Sequence, residues 1–409
     1  MQAVVFRSAG DIRLEEVPDP RIEQGSDALV HLTASAICGT DLHFVRGTVT
    51  GMKPGTILGH EGVGLVEATG REVRGLRDGD RVVICSTIAC GVCVYCRAGY
   101  YSQCDRANPA GTGTAFFGSP AENGGFHGLQ APKARIPFAQ TTVVPIPDSV
   151  TDDQALLTSD IFPTGYFAAE LAHVHPGTTV AVFGCGPVGQ FAIASLKLMD
   201  AGRIFAVDTI PSRLEMARAQ GAEAIDFGRD DPMAAIKDLT AGIGVDRAID
   251  AVGVDANRPH QGPAAEGESG RAGEFEAEVR AIAPQARPRD GHWNPGDGPS
   301  QALQWAVQAL AKAGTLAIVG VYPAAARSFP IGAAMNRNLT LRMGNCPHRR
   351  YIPKLLELIA TGVIEPTKLL TQSAPLSSAI EAYEAFDQRR PGWLKVKLEP
   401  QRAAMPRAA

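Results

Sequence analysis

The stretch from Thr179 to Asp208 constrains the fold of this chain more than any other. A continuous apolar run, Thr179–Phe183, meets three glycines spaced Gly184-x-Gly186-x-x-Gly189, and a helical pattern follows from Val188 to Met199. A second apolar run, Ile204–Val207, ends on Asp208, nineteen residues past Gly189. Strand, glycine turn, helix, strand and acid in that order describe a parallel β-α-β unit whose turn can hold a dinucleotide. Gly184 makes the tight turn, Gly186 lets a pyrophosphate approach the backbone, and Gly189 lets the helix pack closely on the strand. Pro187 and Val188 open the helix and join the cofactor contacts, because its free N–H groups favour phosphate. Asp208 is placed to accept hydrogen bonds from the adenosine ribose. Its charge repels a 2′-phosphate, so NAD is expected over NADP. Arg213 acts against that preference, since a nearby arginine can take the phosphate.

A chain of 409 residues holds two domains at roughly 100–200 residues each. The first is expected over 1–165 as a β-rich unit. Its strand-prone stretches, Leu29–Ala34, Gly62–Ala68 and Arg81–Cys85, are separated by Gly, Pro and Asp turns. Further on, strands alternate with helices: a helix at Arg213–Gln220, a strand at Val245–Ile249, a helix at Gln301–Lys312 and a strand at Thr315–Val319. Apolar strands with helical crossovers make a doubly wound parallel sheet, an α/β coenzyme domain expected over 166–340. Residues 254–300 interrupt it. Seven Gly and six Pro in 47 residues, with no clear periodicity, read as a long inserted loop. A strand is expected at Leu339–Met343, and the segment 341–409 is expected to return to the first domain with a helix at Ile352–Ala360 and a strand at Leu394–Leu398. Gln401–Ala409 is expected to fray.

Net charge is −4 and spread along the chain, which gives no basis for a nucleic-acid or anionic-membrane partner. No apolar run approaches the ~20 residues of a membrane helix. The opening MQAVVFRSAG lacks the layout of a signal peptide, so a reducing cytoplasm is the expected setting. Four of the eight cysteines form Cys90-x2-Cys93-x2-Cys96-x7-Cys104. Clustered thiols in a reducing compartment read as metal ligands rather than disulfides. Four thiolates close a tetrahedral zinc shell with no position open to a substrate, so this ion would be structural. Gly91 and Gly99 allow the backbone to wrap it. Free thiols or an iron–sulfur cluster are the alternatives.

Three further pieces lie far apart: Cys38-Gly39-Thr40-Asp41-Leu42-His43, Gly59-His60-Glu61 and Ser159-Asp160. Together with both motifs above, their order resembles the zinc-dependent medium-chain dehydrogenase/reductase family over nearly the whole chain. Within it, the resemblance is to the glutathione-independent formaldehyde dehydrogenases and related dismutases, which also carry Asp at the third ligand position and a long insertion in the coenzyme domain. It implies a GroES-like catalytic domain, a Rossmann coenzyme domain, and two zinc ions per subunit. The catalytic one would sit on Cys38, His60 and Asp160, the structural one on the four cysteines. Liver-type alcohol dehydrogenases carry Cys where this chain has Asp160, and a hard oxygen ligand changes the charge and geometry at the metal. By the same resemblance Glu61 sits behind the zinc, Asp41 orients the ligand histidine, and Thr40 and His43 form a proton relay to solvent. Val319 and Val321, either side of Gly320, would meet the nicotinamide carboxamide through their backbone. The insertion would cover the adenine end of NAD and slow its release, and the protein would be a homo-oligomer, a tetramer or dimer.

The chemistry stands on its own grounds too. Three protein ligands leave a fourth position open for a hydroxyl, whose pKa the ion lowers by several units. Two anionic ligands neutralise the ion and leave room for an alkoxide. Each residue also has a plainer reading: Cys38 as a buried thiol, His60 as a core histidine, Asp160 as the N-cap of the helix opening at Phe162-Pro163-Thr164. Phe44, Phe116, Phe117 and Phe162 are candidates to line the substrate pocket, and His292 and Trp293 are read as loop anchors. The leading function is an NAD-dependent zinc dehydrogenase for an alcohol or hydrated aldehyde, formaldehyde-like or another small molecule. Competing functions are an aldehyde dismutase with retained NAD, a non-catalytic NAD and zinc redox sensor, and a zinc-free enoyl or quinone reductase.

Overall fold

The computed structural model describes residues 1–109, 113–268 and 270–400. In it the run Thr179–Phe183 lies inside a six-stranded, wholly parallel sheet. Across the sheet the strands are Glu223–Asp226, Arg203–Asp208, Thr179–Phe183, Val245–Asp250, Leu310–Ile318 and Thr340–Met343. Counted along the chain, that is third, second, first, fourth, fifth, sixth. The order reverses between Thr179–Phe183 and Val245–Asp250. Connections on the two sides of that point leave in opposite directions and open a crevice at the carboxyl ends of the strands.

Both faces of this sheet are buried, and the period-two geometry of a strand explains how. Val180 and Val182 cluster with Ala168, Ala192 and Ile193, from the helices Ile161–Leu171 and Pro187–Leu198. Ala181 and Phe183 cluster instead with Ile236, Trp305 and Ala306, from Pro232–Leu239 and Gln301–Ala309. Each fully buried Val, Ile or Phe side chain contributes roughly 1.5–3 kcal/mol, so exposing either face would be costly.

The second large sheet is built on Ala28–Ile37. That strand pairs antiparallel with Gly62–Thr69, with Lys133–Ile136 and with Val396–Glu399, which comes from the far end of the chain. Val396 faces Ile37 and Leu398 faces Ser35. Gln2–Ser8, Asp11–Glu16 and Thr56–Ile57 form a small third sheet.

Two expectations fail locally. The segment 254–300 is not a loop throughout: it contains the helices Gly262–Glu268 and Ala272–Ile282. The second buries Phe275 and Ile282, two turns apart, while Glu274, Glu276 and Arg280 stay outside. That amphipathic run is short and flanked by Gly and Pro, which masked its period. The expected helix Gln301–Lys312 stops at Ala309, because Leu310 is already extended and pairs with Val245. Gln401–Ala409 lies outside the described residues.

The insertion also reaches the β-rich domain. Arg46, itself buried, bridges Asp255 (2.6 Å) and Asp387 (2.7 Å). The Trp293 N–H donates to the other oxygen of Asp387 at 2.9 Å, and its ring joins a core cluster with Phe6, Leu42 and Phe386. Trp293 is therefore an anchor, as its loop setting implied.

Candidate metal centre and nucleotide cleft

Cys38 ends the strand Ala28–Ile37 and opens the helix Gly39–Arg46. The Cys38 N–H donates to Asp41 Oδ2 at 2.9 Å, and Asp41 Oδ1 faces His60 Nδ1 at 3.4 Å. One buried carboxylate thus stands behind two of the three predicted ligands. Asp160 immediately precedes the helix Ile161–Leu171 but its side chain does not cap it. Its Oδ2 instead lies 3.2 Å from His60 Nε2 and 3.4 Å from Cys38 Sγ.

Ligand atoms of Cys38, His60, Glu61 and Asp160 all fall within 4.8 Å of one another, and all four residues are buried. Zinc bonds of about 2.0–2.3 Å imply tetrahedral ligand–ligand edges of about 3.3–3.8 Å, which the donor set here approaches. The electrostatics point the same way. Burial and the Asp160 charge push the Cys38 thiol up to about 11. Burial opposes ionisation of Asp160, but hydrogen bonds from His348 and His60 outweigh it and hold the carboxyl well below its usual range. A thiol and two carboxylates gathered out of water suit a cation, which deprotonates the thiol and neutralises the cluster.

Glu61 is the fourth member, and it is restrained. Lys395 Nζ, fully buried, lies 2.5 Å from Glu61 Oε1 and donates to Ile37 O at 3.0 Å. Glu61 Oε2 is buried with no hydrogen-bond partner. One carboxylate oxygen is therefore tied back, while the residue stays within reach of the ligand trio.

The four cysteines Cys90, Cys93, Cys96 and Cys104 form a separate cluster of the same tightness. Cys93 and Cys104 sulfurs are 4.0 Å apart, too far for a disulfide and close to the edge of a sulfur tetrahedron. The Cys90 and Ala107 N–H groups donate to Cys104, and the Val92 and Cys93 N–H groups to Cys90. Burial raises the Cys93 thiol, but backbone and side-chain hydrogen bonds prevail and bring it down to about 7. This lobe lines no part of the cleft.

A cavity of about 790 Å³ runs along the crevice. Cys38, Thr40, His43, His60 and Asp160 line one part of it. Gly184, Gly186, Pro187, Val188, Asp208, Arg213, Val319 and Val321 line the rest. Gly184 is left-handed (φ +88°), and a Cβ on Gly189 would stand 1.8 Å from the Gly184 carbonyl oxygen. That distance gives the physical reason for glycine at the third position. A Cβ on Gly186 would meet only the Arg213 guanidinium, at 3.8 Å, so the second glycine faces open space. Asp208 braces this loop as well: its Oδ2 accepts from Cys185 N–H at 2.8 Å and its Oδ1 from Thr209 N–H at 2.7 Å. Gly189 and Glu61 do not themselves line the cavity.

His43 lines the cavity rather than the outer surface. It is buried, with Nδ1 2.7 Å from Thr48 Oγ1 and 3.8 Å from Asp255. Burial first, and Arg46 with it, lower its pKa against the opposing pull of Asp255. Thr40 Oγ1 lies 3.9 Å from Cys38 Sγ. Of the four phenylalanines, Phe44 and Phe116 stack and line the cavity, with Phe116 edge-on to His60. Phe117 and Phe162 are spent on the core, the latter stacked on Phe191. The insertion contributes Ala281, Ile282 and Pro284 to the cavity wall.

Two buried residues escaped the sequence reading. Lys395 immediately precedes the final strand, Val396–Glu399, with no motif around it. His348 follows the cavity-lining residues Gly344, Asn345 and Cys346 by only two positions; its Nε2 lies 2.7 Å from Asp160 Oδ1.

A Rossmann-type sheet with a dinucleotide loop, joined to a β domain that presents Cys, His and Asp to the same cleft, defines a metal-dependent dehydrogenase of the alcohol dehydrogenase class. Comparisons with known proteins agree. Residues 24–148 match the alcohol dehydrogenase GroES-like domain, and residues 187–259 the zinc-binding dehydrogenase domain. The chain is 36% identical to an uncharacterized zinc-type alcohol dehydrogenase-like protein of Bacillus subtilis, covering 98% of this chain and all of that one. The alcohol dehydrogenase of Thermus sp. ATN1 superposes with a TM-score of 0.78 at 31% identity, over 98% of this chain and 100% of that one. A glutathione-independent formaldehyde dehydrogenase of Pseudomonas aeruginosa is 35% identical, but only over 62% of this chain and 66% of its own length. The chain belongs to the zinc-type medium-chain alcohol dehydrogenase family. It is a zinc-dependent oxidoreductase whose cofactors are zinc and NAD. Among the described residues no helix is long and apolar enough to cross a membrane.

Proposed function

We propose that this enzyme transfers hydride between a small alcohol or hydrated aldehyde and NAD, at a zinc held by Cys38, His60 and Asp160. The observation that carries the reading is the shared cavity: three ligand residues from distant segments line the same 790 Å³ space as the dinucleotide loop. The metal in that position supplies Lewis acidity, lowering the pKa of a hydroxyl and polarising a carbonyl in the reverse direction. The chain's own residues do the rest. Phe44 and Phe116 exclude water from the reacting end. Val319 and Val321 offer backbone groups to the nicotinamide, and Gly184, Gly186, Pro187 and Val188 receive the pyrophosphate. Asp208 takes the ribose, with Arg213 beside it. Thr40 Oγ1 accepts the substrate proton. With His43 Nδ1 engaged by Thr48, onward transfer uses Nε2. Glu61 stays behind the ligands, and the Cys90, Cys93, Cys96 and Cys104 lobe holds a structural zinc.

The insertion favours one variant of this reading. Because Ala281, Ile282 and Pro284 wall the cavity, NAD would leave slowly, and a formaldehyde-like aldehyde could be dismuted on retained cofactor. A homo-oligomer belongs to the proposal too: the strand Thr340–Met343 is a sheet edge, and Ile331, Met335 and Met343 are exposed around it. The test is NAD reduction against formaldehyde, short alcohols and aromatic alcohols, with metal content determined on the same sample. Reduction by at least one small substrate, lost together with one zinc in Asp160→Ala, is expected. Aldehyde turnover without added NAD would select the dismutase. Zinc confined to the four-cysteine lobe would refute the reading.

A further inference from the structure

We infer that His348 is a positioning residue of the metal centre, holding one oxygen of Asp160 so that the carboxylate presents only the other to the metal. The inference rests on the ligand set proposed above. The two oxygens of Asp160 have separate surroundings. Oδ2 faces the other ligands, 3.2 Å from His60 Nε2 and 3.4 Å from Cys38 Sγ. Oδ1 turns away, 2.7 Å from His348 Nε2, and accepts from Thr164 Oγ1 at 3.2 Å.

The histidine is itself fixed. Thr87 Oγ1 lies 3.1 Å from His348 Nδ1, and the residue is 4% exposed. A hydroxyl donated to Nδ1 leaves the proton on Nε2, where it can be donated to the carboxylate; this tautomer is assigned from the hydrogen-bond network. Thr87, His348 and Asp160 thus form a chain ending at the metal ligand, the arrangement by which outer partners orient ligands.

The need for it follows from Asp itself. A cysteine at this position offers one sulfur, whereas a carboxylate offers two oxygens. Both on the ion would occupy the position a substrate must enter. An N–H and a hydroxyl on Oδ1 compete for that oxygen and keep the fourth position open. Because Asp160 does not cap its own helix, its carboxylate is free for this arrangement. His348 begins the helix His348–Ala360, close after the edge strand Thr340–Met343. The residues between them, Gly344 to Cys346, line the cavity. The clamp therefore joins the metal ligand to the nucleotide-binding sheet.

The test uses the full-length enzyme with cobalt exchanged into the catalytic site, and measures zinc release to a chromogenic chelator. In His348→Ala, metal release from that site should be about 10–100-fold faster, the usual cost of losing such a partner. The cobalt d–d bands should weaken toward a five-coordinate spectrum. His348→Gln, whose amide N–H can still reach Oδ1, should restore most of both, and Thr87→Val should shift them partway. The four-cysteine zinc serves as the internal control for folding. A cobalt spectrum and release rate in His348→Ala within twofold of the parent would overturn the inference, as would failure of the Gln variant to recover either. Asp160→Ala separates the two levels: if it keeps both metals, the ligand set is wrong; if it loses one while His348→Ala changes nothing, only the clamp is wrong.

Discussion

Replacing Lys395 by Met should destabilise the protein more than almost any other single change at the centre. Lys395 and Glu61 are both fully buried, and Lys395 Nζ sits 2.5 Å from Glu61 Oε1 and 3.0 Å from Ile37 O. Methionine fills similar volume but leaves the Glu61 charge, whose second oxygen is already unpartnered, without its cation. Breaking one side of a buried pair costs about 3–5 kcal/mol, mostly the desolvation of the survivor. At roughly 2–4 °C per kcal/mol for a domain of this size, the midpoint of thermal unfolding should fall by roughly 6–20 °C. Scanning fluorimetry at one scan rate and fixed zinc reads this directly. The double variant Glu61→Met with Lys395→Met removes both charges, and an apolar pair of similar volume is often close to neutral. It should therefore recover most of the loss, even though it changes catalysis. A fall of less than about 3 °C in the single variant, or a double variant no more stable than the single one, would show that the pair does not carry this energy.

Two further outcomes are expected. Cys104→Ser should lower the metal content by one zinc per chain and make the segment 90–104 the first site of limited proteolysis, while the remaining zinc stays with the Asp160 site; mass spectrometry of the fragments and metal analysis check both. His43 has its folded pKa depressed by burial, so it contributes stability that is present above its unfolded value, about 6.5, and is lost as pH falls through the folded one. His43→Gln, which has no proton to gain, should show a flatter loss of thermal stability below about pH 6.5 than the parent; parallel profiles would contradict the shift.

Much of the site is legible in the chain because its parts are short and local. The glycine loop works through backbone shape over six residues, so its spacing survives as a pattern, and the 1.8 Å approach at Gly189 shows why no other residue serves. The four cysteines are likewise one contiguous lobe. Cys38, His60 and Asp160 are far apart, and it was resemblance to a family, more than spacing, that joined them. The insertion reads as loop in the sequence because its helix Ala272–Ile282 buries only Phe275 and Ile282, too few apolar positions to show a period.

The alternation of strands and helices, the dinucleotide turn and the identity of the metal-seeking side chains are legible in the chain alone, since each depends on neighbours a few positions away. What stands behind those side chains depends on contacts between distant segments of the folded chain. Lys395 meets Glu61 across 334 positions, and His348 meets Asp160 across 188. Arg46 reaches Asp387 across 341. None has a local signature, because a buried charge or hydrogen bond is satisfied by whichever group the fold brings to it. The same holds for His43, whose burial comes from the packing of distant segments around it.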